Sequence, residues 1–166
     1  MAERLAMAPF FGRADQAIVR HTPHACALGL RLVAIAPREA TLALPYRPEL
    51  VGDPIRGVVF GGVITSLLDQ ASGLAVACSL ETPRAIATVD LRVDYLRAAE
   101  PGCELFGRAH CYKVTRTVAF IRASAWDRTP DDPFASALAT FMLGANTTES
   151  PYARLLRERA GGAEPA

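Results

Sequence analysis

No apolar run in this sequence reaches the ~18–20 residues that a membrane-spanning helix needs, so no membrane partner is expected. An excess of charge is missing as well: 18 basic residues stand against 17 acidic ones, a net charge of +1. Non-specific binding to nucleic acid or to anionic lipid requires clustered positive charge, so neither is an expected partner. Met1 to Gly12 has no long apolar core and does not read as a secretory signal. The four cysteines, Cys26, Cys78, Cys103 and Cys111, show neither CxxC spacing nor a dense framework. Such a pattern fits buried free thiols in a reducing compartment, and a cytoplasmic location is expected. His21 and His24 lie either side of Pro23 without a carboxylate or thiol near them, and His110 sits beside Cys111 in a strand-like run. Too few ligands gather for zinc, so no metal and no cofactor are expected. The GxSxG, GxxxxGK[ST] and GxGxxG motifs are absent.

What is there is a globular composition, with 51% hydrophobic and 21% charged residues in a chain of 166. That length suits one domain. A mean hydropathy of +0.17 is slightly high and suggests that some apolar surface is given to a subunit interface. Residues 1–29 read as a lead-in containing a short helix over Ala14 to Arg20, and residues 30–146 as the main domain. Residues 147–160 read as a C-terminal helix opened by Ser150 and Pro151, and 161–166 as a disordered tail.

Within the main domain, Leu30 to Ala36 and Ala40 to Pro45 read as a hairpin, and Arg47 to Gly57 as a loop rich in Pro and Gly. Gly61 to Leu80 is the one strongly helical segment: Ile64, Leu67, Leu68, Ala71, Leu74, Ala75 and Cys78 recur at steps of three and four. Then Val89, Leu91, Val93 and Tyr95 alternate with Thr88, Asp90, Arg92 and Asp94, a strand pattern that assigns the two sets to opposite faces. Cys103 to Lys113, Arg116 to Asp127 and Phe134 to Leu143 follow as strands with short links, an antiparallel meander. One long apolar helix followed by antiparallel strands predicts an α+β domain whose sheet wraps the helix.

Two features of that helix could carry chemistry. Asp69 interrupts the apolar run, and its helical neighbours Thr65, Ser66, Ser72 and Gly73 are all small. A carboxylate is costly to bury unless paired or functional, although a polar stripe on an amphipathic helix reads the same way. Gly61 and Gly62 open the helix, where the first N–H groups have no internal partner and the dipole is positive. Paired glycines let a carbonyl or an anion approach those amides; they also suit an ordinary tight turn.

The segment from Val59 through Phe60, Gly61 and Gly62 to Asp69 resembles the HGG…D signature of the PaaI-type acyl-CoA thioesterases of the hotdog fold. The resemblance continues through Ala87 to Arg97 and Lys113 to Phe120, and covers roughly 30–144. It implies a curved antiparallel sheet around one long central helix, two subunits whose sheets join edge to edge with sites at their interface, and further assembly into a dimer of dimers. It implies acyl-CoA as substrate. Asp69 falls where the family has its general base or nucleophile, the Gly61 amide where it has the oxyanion donor with Gly62 supporting the turn, and Thr88 where a hydroxyl from the partner subunit places the attacking water. The CoA contacts fall on Tyr95, Leu96 and Arg97 and on Lys113, Thr115, Arg116 and Thr117. Phe60 occupies the signature histidine position and joins the substrate-binding set, with Leu68 and Val76, as apolar pocket lining. Asp53-Pro54 replaces a loop asparagine.

Thioester hydrolysis needs an activated water or a direct nucleophile, and donors for the developing oxyanion. Asp69 and Gly61 supply both kinds of group. Phenylalanine cannot hydrogen-bond, so the alternative is a non-catalytic acyl-CoA-binding homologue. A hotdog hydratase or dehydratase would need a histidine paired with an acid, and the sequence places none on or beside the helix.

Overall fold

The computed structural model describes Val19, residues 22–82 and residues 84–146. The expected helices at Ala14 to Arg20 and 147–160, apart from Val19, lie outside the described residues, as does the tail from 161.

A short helix, α1 (Pro23–Leu28), begins with proline in its first turn, where the fixed φ suits a helix start and the missing N–H costs nothing. Strands β1 (Arg31–Ala36) and β2 (Glu39–Leu44) form the expected hairpin. The stretch expected to be loop is partly ordered: a 3-10 turn at Pro48–Leu50 leads into β3 (Val51–Asp53), which pairs with β4 (Val58–Val59). The Asp53 carboxylate accepts the N–H groups of Ile55 and Arg56 at 3.0 and 3.1 Å. An aspartate bonding to its own turn in this way is a local substitute for backbone pairing, so the side chain that replaces the loop asparagine is spent on the turn.

The long helix α2 spans Gly61–Ala77 and ends three residues earlier than its periodicity predicts. Ser79 and Leu80 donate to Val76 and Ala77, so the last turn tightens to three-residue spacing and closes the helix. β5 (Arg84–Tyr95), β6 (Leu105–Val114), β7 (Val118–Trp126) and β8 (Ala135–Asn146) follow. Among the described residues the main sheet is six-stranded and antiparallel, in the order β1-β2-β6-β7-β8-β5. Helix α2 touches β2, β5, β6, β7 and β8, so the sheet curls around it as a hotdog does.

Ile64, Leu67, Leu68, Ala71, Leu74, Ala75 and Val76 are buried against the inner sheet face. That face is lined with small side chains, among them Ala109, Ala119, Ala125, Ala135 and Ala137. Gly107 is the tightest point: a Cβ there would stand 2.8 Å from Cγ of Leu67. The helix therefore sits closer to the sheet than larger residues would permit. Leu68 and Val76 are fully buried in this core, which corrects their assignment as pocket lining: both are committed to the helix–sheet contact. No helix among the described residues is long and apolar enough to cross a membrane.

Candidate active site at the helix–edge strand seam

Strand β5 is an edge of the sheet, and α2 runs along it in the opposite direction. Gly61 lies against Tyr95, Asp69 against Thr88, and Gly73 near Ile86. The Thr88 hydroxyl donates to the Asp69 carboxylate at 2.8 Å. The resemblance implies that this hydroxyl serves from a partner subunit; in the structure it holds the aspartate of its own chain.

This contact also corrects the two-residue alternation, which sets Thr88 on the face opposite Tyr95. Thr88 pairs with Phe141, Leu91 with Ala139 and Tyr95 with Ala135, all partners buried on the inner face. The register shifts between Thr88 and Asp90. Val89 is the extra residue of a β-bulge, 59% exposed. A bulge inserts one residue and resets the alternation, so Thr88 and Tyr95, seven residues apart, both face the helix.

At the start of α2, Phe60 occupies the capping position and no side chain caps the helix. The Phe60 carbonyl takes the Val63 N–H at 3.0 Å. The N–H groups of Gly61 and Gly62 find no acceptor among the described residues. The Phe60 ring is seated between two glycines: a Cβ on Gly52 would lie 2.9 Å from it, and one on Gly62 2.6 Å. It remains 61% exposed.

The carbonyls of Gly61 and Gly62 are well supplied. Tyr95 donates its hydroxyl to the Gly61 carbonyl at 2.7 Å, and the Thr65 hydroxyl lies 3.1 Å from that carbonyl and 2.9 Å from the Tyr95 oxygen. Ser66 donates to the Gly62 carbonyl at 3.0 Å, and His24 Nε2 stands 3.2 Å from the Ser66 hydroxyl. The expectation that no histidine lies beside the helix is thus overturned, because α1 folds back onto it. Sequence spacing carried no sign of this, since His24 and Ser66 are 42 residues apart.

The residues assigned to CoA fall in three settings. Tyr95 is tied to Gly61 as described, while Leu96 is 59% exposed just beyond the strand. Arg97 is already engaged: its guanidinium donates twice to the Asp127 carboxylate, both at 2.7 Å, and lies 5.9 Å from the centre of the Phe134 ring. The Asp127 side chain is fully buried. The Arg97 hydrogen bonds, helped by the Glu100 N–H and opposed by burial, hold its carboxyl well below the usual carboxylate range. Lys113, Thr115, Arg116 and Thr117 surround the β6–β7 turn. Thr115 closes this turn by bonding to Val118, and the Thr117 carbonyl accepts the Leu143 N–H at 2.8 Å. Arg84, which sequence reasoning passed over, donates to the carbonyls of Arg116, Leu143 and Gly144 and fastens the turn to β8. The Lys113 and Arg116 side chains are exposed and form no ion pair among the described residues. No cluster of three or more metal-ligating side chains occurs among the described residues. Cys111 is buried, Cys78 and Cys103 are half-buried and Cys26 is exposed, which corrects the expectation of four buried thiols; burial pushes the Cys78 thiol up to about 11.

The seam thus offers an oriented carboxylate and two helix-start amides without an acceptor among the described residues, and the β6–β7 turn carries two exposed cations. Comparison with known proteins gives this constellation a context. The sequence pattern of the thioesterase superfamily matches residues 56–133. A medium/long-chain acyl-CoA thioesterase of Salmonella typhimurium, YigI, is 34% identical over 140 residues, covering 76% of this chain and 88% of that protein. A Pseudomonas aeruginosa protein solved by crystallography is 38% identical, with a TM-score of 0.71 over 79% of this chain and 96% of that one. The PaaI protein of the Escherichia coli phenylacetic acid degradation operon shares the fold at a TM-score of 0.72 and 16% identity, with 81% and 94% covered.

Proposed function

The chain belongs to the thioesterase superfamily, in its PaaI-type hotdog branch, and from that footing we propose that it hydrolyses acyl-CoA thioesters with Asp69 as general base or nucleophile and the Gly61 amide, beside that of Gly62, as oxyanion donor. The single observation that carries this reading is the Thr88–Asp69 hydrogen bond. It fixes one carboxylate oxygen and leaves the other to take a proton from water or to attack the thioester carbon. Water forms the new C–O bond to the acyl carbon, either directly or by hydrolysing the anhydride that Asp69 forms when it attacks. As the C–S bond breaks, CoA leaves as its thiolate and takes up the proton that water released, and the amides offset the charge that gathers on the carbonyl oxygen.

Distance argues for a shared site. Eight residues of helix at ~1.5 Å each put Gly61 and Asp69 about 12 Å apart along the axis. A reacting carbonyl must lie within ~3 Å of both its donors and its base. One chain cannot satisfy both demands at once. Two copies meeting along β5, with their helices antiparallel, can bring the amides of one to the carboxylate of the other. The open edge of β5 and the exposed Val89 support a homodimer formed there, and a dimer of dimers would extend it. Exposed Lys113 and Arg116 suit the CoA phosphates, and the apolar Phe60 ring suits an apolar acyl chain. The cysteine spacing, with neither CxxC pairs nor a dense framework, fits a reducing, cytoplasmic setting.

The test is thiol release from a panel of acyl-CoAs by wild type and by Asp69→Asn. The variant should lose ~10²–10⁴ in rate while still folding and binding the acyl-CoA. Retained turnover would remove Asp69 from the chemistry. Tight binding with no turnover by wild type would favour the acyl-CoA-binding alternative, which Phe60 in the histidine position supports. A folded monomer of 17.8 kDa in sedimentation would remove the shared site.

A further inference from the structure

We propose that Tyr95 is a positioning residue for the second amide at the head of α2, the Gly62 N–H, orienting and polarising the Gly61–Gly62 peptide; the inference rests on the reading of that amide, beside that of Gly61, as an oxyanion donor. The Gly61 carbonyl and the Gly62 N–H are the two ends of one conjugated peptide unit. A hydrogen bond accepted at the oxygen draws density from the nitrogen and strengthens the N–H as a donor, as in any hydrogen-bonded chain. Tyr95 makes such a bond at 2.7 Å. The Thr65 hydroxyl adds its proton either to the same carbonyl or to the Tyr95 oxygen, at 3.1 and 2.9 Å.

The close approach depends on glycine. A Cβ on Gly61 would stand 3.2 Å from the Tyr95 hydroxyl and 3.4 Å from the ring carbon that bears it. The tyrosine thus presses on the face of Gly61 that a side chain would cover. The carbonyl already accepts the helix's own bond from four residues on, so helix formation does not need the phenol. The far end of the peptide carries an N–H with no acceptor among the described residues, which is where added donor strength would be felt. Tyr95 and Thr88 share strand β5. One strand therefore sets the Gly62 amide, through Tyr95, and the carboxylate of Asp69, through Thr88.

Tyr95→Phe keeps the ring and removes only the hydroxyl. With an acyl-CoA that the wild type turns over, the variant should lose ~3–10-fold in kcat, less than deletion of an oxyanion donor, with KM unchanged. In protein labelled with ¹⁵N-glycine, the Gly62 amide proton should move upfield as its peptide loses polarisation. Thr65→Val should shift both readouts in the same direction. A lowered melting temperature with kcat and the Gly62 resonance unmoved would make Tyr95 a structural anchor only and overturn the proposal. If wild type releases no thiol from any acyl-CoA, the proposed hydrolysis fails on its own, and the Gly62 resonance decides about Tyr95: an upfield shift supports the polarisation, and none overturns it.

Discussion

Phe60 stands where a capping side chain would otherwise satisfy the first amides of α2, and its ring has no polar atom to offer them. Two consequences follow at this one residue. The amides stay open to a ligand, and an apolar surface is held beside them between Gly52 and Gly62. An acyl chain lying on that ring would bury it, and burying a phenylalanine stabilises by ~1.5–3 kcal/mol. Phe60→Ala should therefore raise KM for decanoyl-CoA about tenfold and leave acetyl-CoA nearly unaffected. Steady-state kinetics on the two substrates checks this; an equal loss on both would assign the ring to the helix start alone. Asp69 is legible in the sequence as the one acid in an apolar run. Its partner is not, because Thr88 lies on the wrong face of a regular strand and reaches the helix only through the Val89 bulge.

Among the elements, α2 and the sheet are fitted at Gly107, where Leu67 fills the space a side chain would take. Leu67 is fully buried and its Cγ cannot swing away. Gly107→Ala should cost ~1–3 kcal/mol, the usual penalty for overpacking a close-packed core, and lower the midpoint of urea unfolding. The helix and the meander can be read from the sequence, since periods of three to four and of two survive in their residues. What escapes is local and set by few atoms. The β3–β4 ribbon rests on the Asp53 turn, α1 rests on Pro23 at its first turn, and the early end of α2 rests on two three-residue hydrogen bonds. None of these leaves a periodic trace. The pairing of Arg97 with Asp127 escapes for another reason: it joins residues 30 positions apart, and only the fold brings them together.

For the molecule as a whole, that pairing of a buried carboxylate with a partly exposed arginine sets a pH dependence of stability. The carboxyl of Asp127 is held well below its ordinary range in the folded chain, whereas in the unfolded chain it titrates near ~3.9. Above that value both states are ionised and the stabilisation is fully present. As pH falls through and below ~4, the unfolded state takes up the proton first and the stabilisation drains away. Urea midpoints should fall between pH 6 and 3. Asp127→Asn should be less stable at neutral pH by ~1–2 kcal/mol, the loss of charged hydrogen bonds to an arginine that is partly exposed and keeps Asp132 as a partner, with a flatter decline into acid. A parallel decline in both proteins would place the acid sensitivity elsewhere.

The Val89 bulge has a consequence beyond the site it serves. β5 is a long strand at the margin of the sheet, with a row of unpaired backbone groups. Such margins recruit foreign strands and seed aggregates. A straight incoming strand can match the hydrogen-bonding groups on one side of Val89, but one residue of slippage throws it out of step on the other. Only a strand carrying the same irregularity can follow the whole edge, and a second copy of this chain has one. In a dimer formed along β5 as proposed, the break that turns Thr88 toward Asp69 would also fix the register in which the two edges meet.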